Sequence, residues 1–525
     1  MKALSLLALL LLFGCAGAPK AVGTLVDSTA SIPAPTAANA SLPARPLTVP
    51  APMTTIVQAV PGQPIVSFLL VFHAGSVDDP PGKEGLTALT AALMAEGGTQ
   101  ELTSAQLLEA LFPMAAELSV STNKELTVLS GRVHRDRLER FLKIFTDVLL
   151  EPRFDPKEFD RLRTNAINAI ENELRGQDDE GLGKVALDAL LYPHHPYGHF
   201  TGGTVQALKA LTLDDLKAHA ARVFTQDRLV VGLAGAVDPA LEVRLKGLLS
   251  RLPAKGATAV ALPPAPPLHG HTWVLQKDSL STALSMGYAY PLRRGDSDYA
   301  AVALGLSYLG EHRQSHGVLF DQLRERRGLN YGDYAYVEHY QQEGFGSKPR
   351  FNVVRAQQDF SLWLRPVEPQ NAVFATRGAL YFLQQLLDSP PPADAFETAR
   401  GFLIGYTRLW EQTDQRRLAL AIDGLYYGTP DFLDSFRQAL ATLTPKEVQQ
   451  ACQRNLSVDK LNYVYVAKDA TGLAEQLRSK APSPVRYPTP KDPEVLAQDK
   501  AIQTAPLPLD PSLIEVRPVK EFMER

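Results

Sequence analysis

Apolar runs and polar breaks divide the chain into two similar stretches. In the first, Ser67-Phe68-Leu69-Leu70-Val71-Phe72 is a short continuous apolar run of the kind a buried strand makes. Leu86, Leu89 and Leu93 follow at i, i+3 and i+7, which puts three leucines on one helix face. Phe154-Asp155-Pro156 opens a second helix, expected to continue through Glu173. Leu211-Thr212-Leu213-Asp214-Asp215-Leu216 carries Thr212 as N-cap and Asp215 three residues on. There, hydroxyl and carboxylate can satisfy the first backbone N–H groups reciprocally. Arg228 to Gly235 is a closing strand. The second stretch repeats the order: a strand from Leu284 to Tyr290, a helix from Asp296 to Leu309, a capped start at Thr444-Pro445-Lys446-Glu447, and a strand from Leu461 to Val466.

Thr212 and Thr444 are 232 positions apart, so each half is an α/β unit of about 220 residues. Strand runs separated by long helices predict helices layered on a sheet. The fold class is α+β: two homologous halves, each an antiparallel-rich sheet covered by helices, joined by a Pro-rich linker. The boundaries read as 1–14, a cleaved export signal; 15–52, an Ala/Pro/Ser/Thr-rich flexible tether; 53–251, the first half; 252–272, a linker containing Pro263-Pro264-Ala265-Pro266-Pro267; 273–477, the second half; and 478–525, a Pro-rich tail, extended and either draped over the body or free.

The leader narrows the compartment. Lys2 supplies a basic start, Leu4 to Phe13 is an apolar run too short to span a bilayer, and small residues follow at Gly14, Cys15 and Ala16. Ordinary signal cleavage would leave Cys15 a bystander. Leu12-Phe13-Gly14-Cys15 however resembles the bacterial lipobox, which implies lipid on Cys15 (palmitate among the acyl groups) and attachment to the cell envelope. Ala16, in place of an aspartate, favours the outer membrane facing the periplasm. Cys452 then has no disulfide partner and reads as a small buried apolar residue. A formal charge of −4 provides no basic field for nucleic acid.

Several motifs carry a family resemblance over about residues 54–477. Gly75-Ser76-Val77-Asp78-Asp79-Pro80-Pro81-Gly82-Lys83-Glu84-Gly85-Leu86 resembles the approach to the metal helix of the M16 family (insulinase, pitrilysin, mitochondrial processing peptidase). Gly97-Gly98-Thr99 resembles the end of that helix, His195-Pro196-Tyr197-Gly198 a later landmark, and Phe320 to Tyr331 the second-half signature. The resemblance implies two M16-like halves of the LuxS/metallohydrolase type. It also locates what is missing. Active members carry H-x-x-E-H just after the glycine-leucine pair, two histidines for zinc and a glutamate to activate water. The matching positions are Ala88, Ala91 and Ala92, which have no lone pair to offer. Glu171 and Glu173 lie near the place of the usual further ligand, but carboxylates on a polar helix are ordinarily solvated. No catalytic residue, metal or cofactor is expected in this chain, with zinc entering only on a partner.

Other histidines offer little. His312-x-x-x-His316 has metal-helix spacing but loop-like neighbours and no third ligand; His194, His195 and His199 sit in a proline-rich turn as surface or capping groups; His269 and His271 lie in the linker. The resemblance does imply a surviving substrate pair, Arg324 and Tyr331, which in the family hold a peptide near the metal. A guanidinium can clamp a peptide carbonyl or carboxylate, and a phenol can donate to a carbonyl. Read without the family, Arg324 joins a charged helix end with Glu325, Arg326 and Arg327, and Tyr331 packs in a strand. The leading expectation is a non-catalytic M16-like lipoprotein subunit that binds peptide or unfolded polypeptide and complements an H-x-x-E-H partner, or a second copy of itself. A structural envelope lipoprotein and an active zinc peptidase with atypical ligands are the alternatives.

Overall fold

The computed structural model describes residues 41–311, 314–344 and 348–524. The first half runs β1 (Thr54–Ala59), β2 (Ile65–Phe72), α1 (Leu86–Glu96), α2 (Ser104–Leu111), β3 (Glu117–Thr122), β4 (Thr127–His134), α3 (Leu138–Leu150), α4 (Pro156–Asn168), a π-helical turn (Ala169–Leu174), α5 (Asp179–Leu191), α6 (Val205–Ala210), α7 (Leu213–Val223), β5 (Leu229–Gly235) and α8 (Pro239–Leu249). The second half matches it in order: β6 (Thr272–Gln276), β7 (Thr282–Tyr290), α9 (Tyr299–Gly310), a π-helical turn (Phe320–Glu325) in the place of α2, β8 (Asn330–Tyr336), β9 (Gln358–Val367), α10 (Ala372–Asp388), α11 (Ala393–Trp410), α12 (Asp414–Tyr427), α13 (Phe432–Thr442), α14 (Pro445–Asn455), β10 (Asn462–Ala467) and α15 (Ala470–Ser479). The sheets repeat as well. The first has the order β1-β5-β2-β4-β3 and the second β6-β10-β7-β9-β8, with β1 parallel to β5, β6 parallel to β10, and the other pairs within each repeat antiparallel. The duplication read from the apolar pattern is therefore a duplication of topology. Among the described residues no helix is long and apolar enough to cross a bilayer.

The halves exchange helices. α5, from the first half, packs on β7 and β10 of the second, and α12 packs on β1, β2 and β5 of the first. Small residues let them approach. A Cβ on Gly183 of α5 would lie 2.9 Å from Ser285 Oγ, and one on Gly232 of β5 would lie 3.0 Å from Ile422 and Leu418 of α12. A buried polar network seals the join. Arg355 donates to Asp359 and Asp188 at 3.0 Å each, and Glu125, 4% exposed, accepts from the Ala356 N–H and the Tyr197 hydroxyl. Buried charges persist where they are paired and hydrogen-bonded, as these are.

Both ends of the described residues differ from expectation. The last part of the tether is docked: Leu47 is buried, Leu42 bridges Ala265 of the linker, and Arg45 forms a fork with Asp296 at 2.6 and 2.9 Å. The tail is folded instead of extended or free. It forms α16 (Pro493–Ile502) and then β11 (Ile514–Pro518), which adds in parallel to β6 and makes the second sheet six-stranded. The reason is nonlocal. β6 is short and leaves an unpaired edge, and the alternating Ile514-Glu515-Val516-Arg517 run covers it, which removes an exposed edge strand.

Candidate functional site

The helix that would carry a metal motif is built as expected and carries none. α1 starts at Gly85, whose φ of +94° and close approach to Gly203 require glycine. Asp79 caps the helix: its carboxylate accepts from the Gly85 N–H at 2.8 Å, the Thr87 N–H at 2.7 Å and the Thr87 hydroxyl at 2.6 Å, a fully buried anion at the positive end of the helix. Thr87 also bonds His219 Nε2 at 2.8 Å, and burial pushes the His219 imidazole down to about 4, so it is neutral. On the body of the helix, Ala91 is 4% exposed in the core cluster of Phe68, Phe141 and Phe145, Ala92 packs on a second cluster with Leu89 and Leu93, and Ala88 is half-buried. Glu171 and Glu173, on the π-helical turn after α4, are solvent-exposed.

Elsewhere among the described residues, one carboxylate–imidazole group has the spacing to hold a cation: Asp188, His339 and Asp359. The Arg355 guanidinium already bonds all three, reaching His339 Nε2 at 3.0 Å, so the cation there is the protein's own. His195 is buried and is not a surface group. Its Nδ1 accepts from the Tyr197 N–H at 3.0 Å, and its Nε2 faces Pro263 O, also at 3.0 Å. Burial lowers its pKa, which leaves a proton on Nε2 alone to donate to the linker carbonyl. The histidine landmark thus pins the linker. His199 lies 3.4 Å from Asp79, and the His316 ring packs at a tilt against Phe402, their centres 4.8 Å apart. His312 and Cys15 fall outside the described residues.

The structure does bring Arg324 and Tyr331 together. Arg324 lies on the second π-helical turn and Tyr331 on β8, the edge strand of its sheet. The guanidinium carbon sits 4.5 Å from the centre of the Tyr331 ring and 4.5 Å from that of Phe320. Such ring contact orients the fork: Nε faces Glu325, and the terminal N–H groups can take a planar acceptor. Tyr331 is 58% exposed, and Arg324 retains 32% of its side-chain exposure beside Glu325 at 3.5 Å. The charged-end reading holds in part: Arg324 pairs with Glu325 and Arg326 with Asp321 of the same turn, while Arg327 turns inward to Asp499. Two residues beyond Tyr331, Asp333 is buried on the same strand, accepts from Asn330 Nδ2 at 3.1 Å, and is pushed by burial up to about 7. Nothing in the sequence flags that carboxyl, because its shift comes from packing. The remaining tyrosines face the other way. Tyr334 and Tyr336 are buried with Trp363, and Tyr340 stacks on Tyr336 at 4.1 Å, an ordinary aromatic cluster.

These features define a duplicated helix-and-sheet protein whose first half keeps the frame of a metal helix without its ligands. Residues 54–190 match the family described as insulinase (peptidase family M16), and residues 210–359 match the peptidase M16 inactive domain. The chain belongs to the M16 family, as an inactive-type homologue. It is 22% identical over 401 residues to the non-peptidase homolog YmxG of Helicobacter pylori, covering 76% of this chain and 88% of that one. It is 25% identical over 419 residues to an uncharacterized zinc protease of Streptomyces coelicolor, covering 77% and 85%. Among solved structures, a peptidase M16 inactive domain from Pseudomonas fluorescens superposes with a TM-score of 0.69 at 23% identity, over 80% of this chain and 97% of that one.

Proposed function

We propose that this protein is a non-catalytic M16 subunit, held at the bacterial envelope through lipid on Cys15, that binds an extended peptide and completes the site of a zinc-bearing M16 partner. The observation that carries the reading is the stacked, solvent-facing Arg324–Tyr331 pair beside the free edge of β8. An edge strand offers unpaired N–H and C=O groups to an added strand, and the guanidinium fork supplies a directed contact to a carbonyl or carboxylate. The alanines at 88, 91 and 92 argue that cleavage belongs to another chain.

The test uses the purified full chain with a fluorescent unstructured peptide. Binding should weaken by at least about tenfold in the R324A/Y331A double variant, the loss of one charged and one aromatic anchor. The chain alone should carry no stoichiometric zinc and cleave nothing; an H-x-x-E-H chain added to it should gain peptidase activity that the double variant no longer supports. Stoichiometric zinc with chelator-sensitive cleavage by this chain alone would overturn the proposal. A double variant that binds and complements as well as wild type would instead favour a scaffolding lipoprotein. Labelling with a palmitate analogue, present in wild type and lost in C15A, tests the anchor.

A further inference from the structure

The two π-helical turns are the elements on which the family's chemistry would converge: Ala169–Leu174 bears Glu171, and Phe320–Glu325 bears Arg324. Such turns are rare and recur at functional sites. Each is followed at once by an arginine that turns inward. Arg175, 8% exposed, comes directly after the first, and Arg327, 1% exposed, two residues after the second. Both arginines are bonded by the same segment, the C-terminal extension that follows α15. Arg327 Nε donates to Asp499 Oδ1 at 2.9 Å and Nη2 to Gln498 Oε1 at 2.7 Å, while Nη1 returns to Gln322 O, on the turn itself, at 2.8 Å. Tyr487, also in the extension, donates to the other Asp499 oxygen at 2.8 Å. At the far end Arg175 Nε donates to Phe522 O at 2.7 Å and Nη1 to Glu524 at 3.1 Å, while the Val205 and Gln206 N–H groups bond Met523 O and Glu524 O. Between these points β11 is stitched into the sheet.

We propose that the extension, residues 480–524, is an intramolecular strap that sets the position of the Arg324–Tyr331 pair, with Asp499 as a positioning residue acting through Arg327. The physical reason lies in the turn. A π-helical turn makes fewer well-shaped backbone bonds than an α-helix, so its setting depends on what holds its end. Arg327 closes the turn from below through Gln322 O only while Asp499 orients its fork. The same strap, ending on Arg175, fixes the π-helical turn of the other half. The functional side of this proposal rests on the peptide-binding reading; the mechanical side does not.

The test compares the full chain with D499N, by amide hydrogen exchange over residues 318–331 and by affinity for a fluorescent unstructured peptide. Exchange in that segment should quicken about tenfold while α14 keeps its protection. Peptide affinity should fall by the same factor as in R324A, and D499N should add little in an R324A background, because residues that act through one another are not additive. A merely structural loss would be additive. Q498A, which removes only one bond to Arg327, should show the same pattern at smaller amplitude and serves if D499N does not fold. Unchanged exchange in 318–331 in both variants would overturn the strap. A loosened segment with unaltered peptide affinity would overturn the positioning role. Responding exchange in a wild-type chain that binds no peptide would uphold the strap and sink the peptide reading.

Discussion

The Ala91 methyl is 4% exposed among Phe68, Phe141 and Phe145, so the position that would hold a catalytic glutamate is now core. A carboxylate there would be desolvated with no partner. Ala91→Glu should lower stability by about 3 kcal/mol, read from urea unfolding, whereas Ala88→His at a half-buried position should cost under about 1 kcal/mol. Restoring the ligands would not restore a site unless the core around Ala91 were rebuilt. Asp333 makes the opposite case, a carboxyl that the fold keeps buried beside the Arg324–Tyr331 pair. Burial raises it from 3.8 to about 7. Between those values the folded chain holds a proton that the unfolded chain has released. The stability contributed by the neutral acid is full below about pH 4 and lost as pH rises through 7. Asp333→Asn keeps the shape without ionising. Its advantage over wild type should grow from near zero at pH 4 to about 4 kcal/mol at pH 8, and a flat difference would refute the assignment.

Elements that depend on neighbours in the chain were legible; elements that depend on distant partners were not. Both capping boxes form as read, Thr212 with Asp215 and Thr444 with Glu447, because a cap involves four consecutive residues. β11 escaped because its five residues are a strand only beside the open edge of β6. His195 is buried between the rings of Tyr192 and Tyr197 and the linker carbonyl of Pro263, which lies 68 residues away in the chain. The Arg324–Tyr331 pair came from family likeness, and no spacing rule would have chosen it over the other arginines and tyrosines. Glycines show the same division between local and distant causes. Gly401 and Gly405 lie on exposed positions of α11 with nothing within 4 Å of an added Cβ. Replacing both by alanine should stabilise the protein by about 1 to 2 kcal/mol through lost unfolded-state freedom. Gly183 is also mid-helix, but its face meets Ser285 of the other half. Gly183→Leu should destabilise by at least about 2 kcal/mol, and thermal melts of the two variants separate the two cases.

At the scale of the whole molecule, the exchanged helices decide how it unfolds. Leu182, Ala186 and Leu187 of α5 are buried on the sheet of the second half, and Leu418 and Ile422 of α12 on that of the first. Neither half covers both faces of its own sheet, and the strap adds bonds from residues 522–524 back to Arg175. The halves should therefore melt together, although two domains of about 200 residues would ordinarily separate. The three tryptophans, Trp273, Trp363 and Trp410, all lie in the second half and report on it alone, whereas helix content reports on both. Urea transitions followed by tryptophan fluorescence and by far-ultraviolet circular dichroism should coincide, and a fragment of residues 41–251 should fail to fold because α5 would have no sheet to cover. Two resolved transitions, or a cooperatively folded fragment, would show that the exchange is a contact between independent domains and not a shared core. A shared core bears directly on the proposed two-chain site. Peptide at β8 and the ligand-free face of α1 would then belong to one rigid subunit, and any motion that closes the site around a peptide would have to occur against the partner chain.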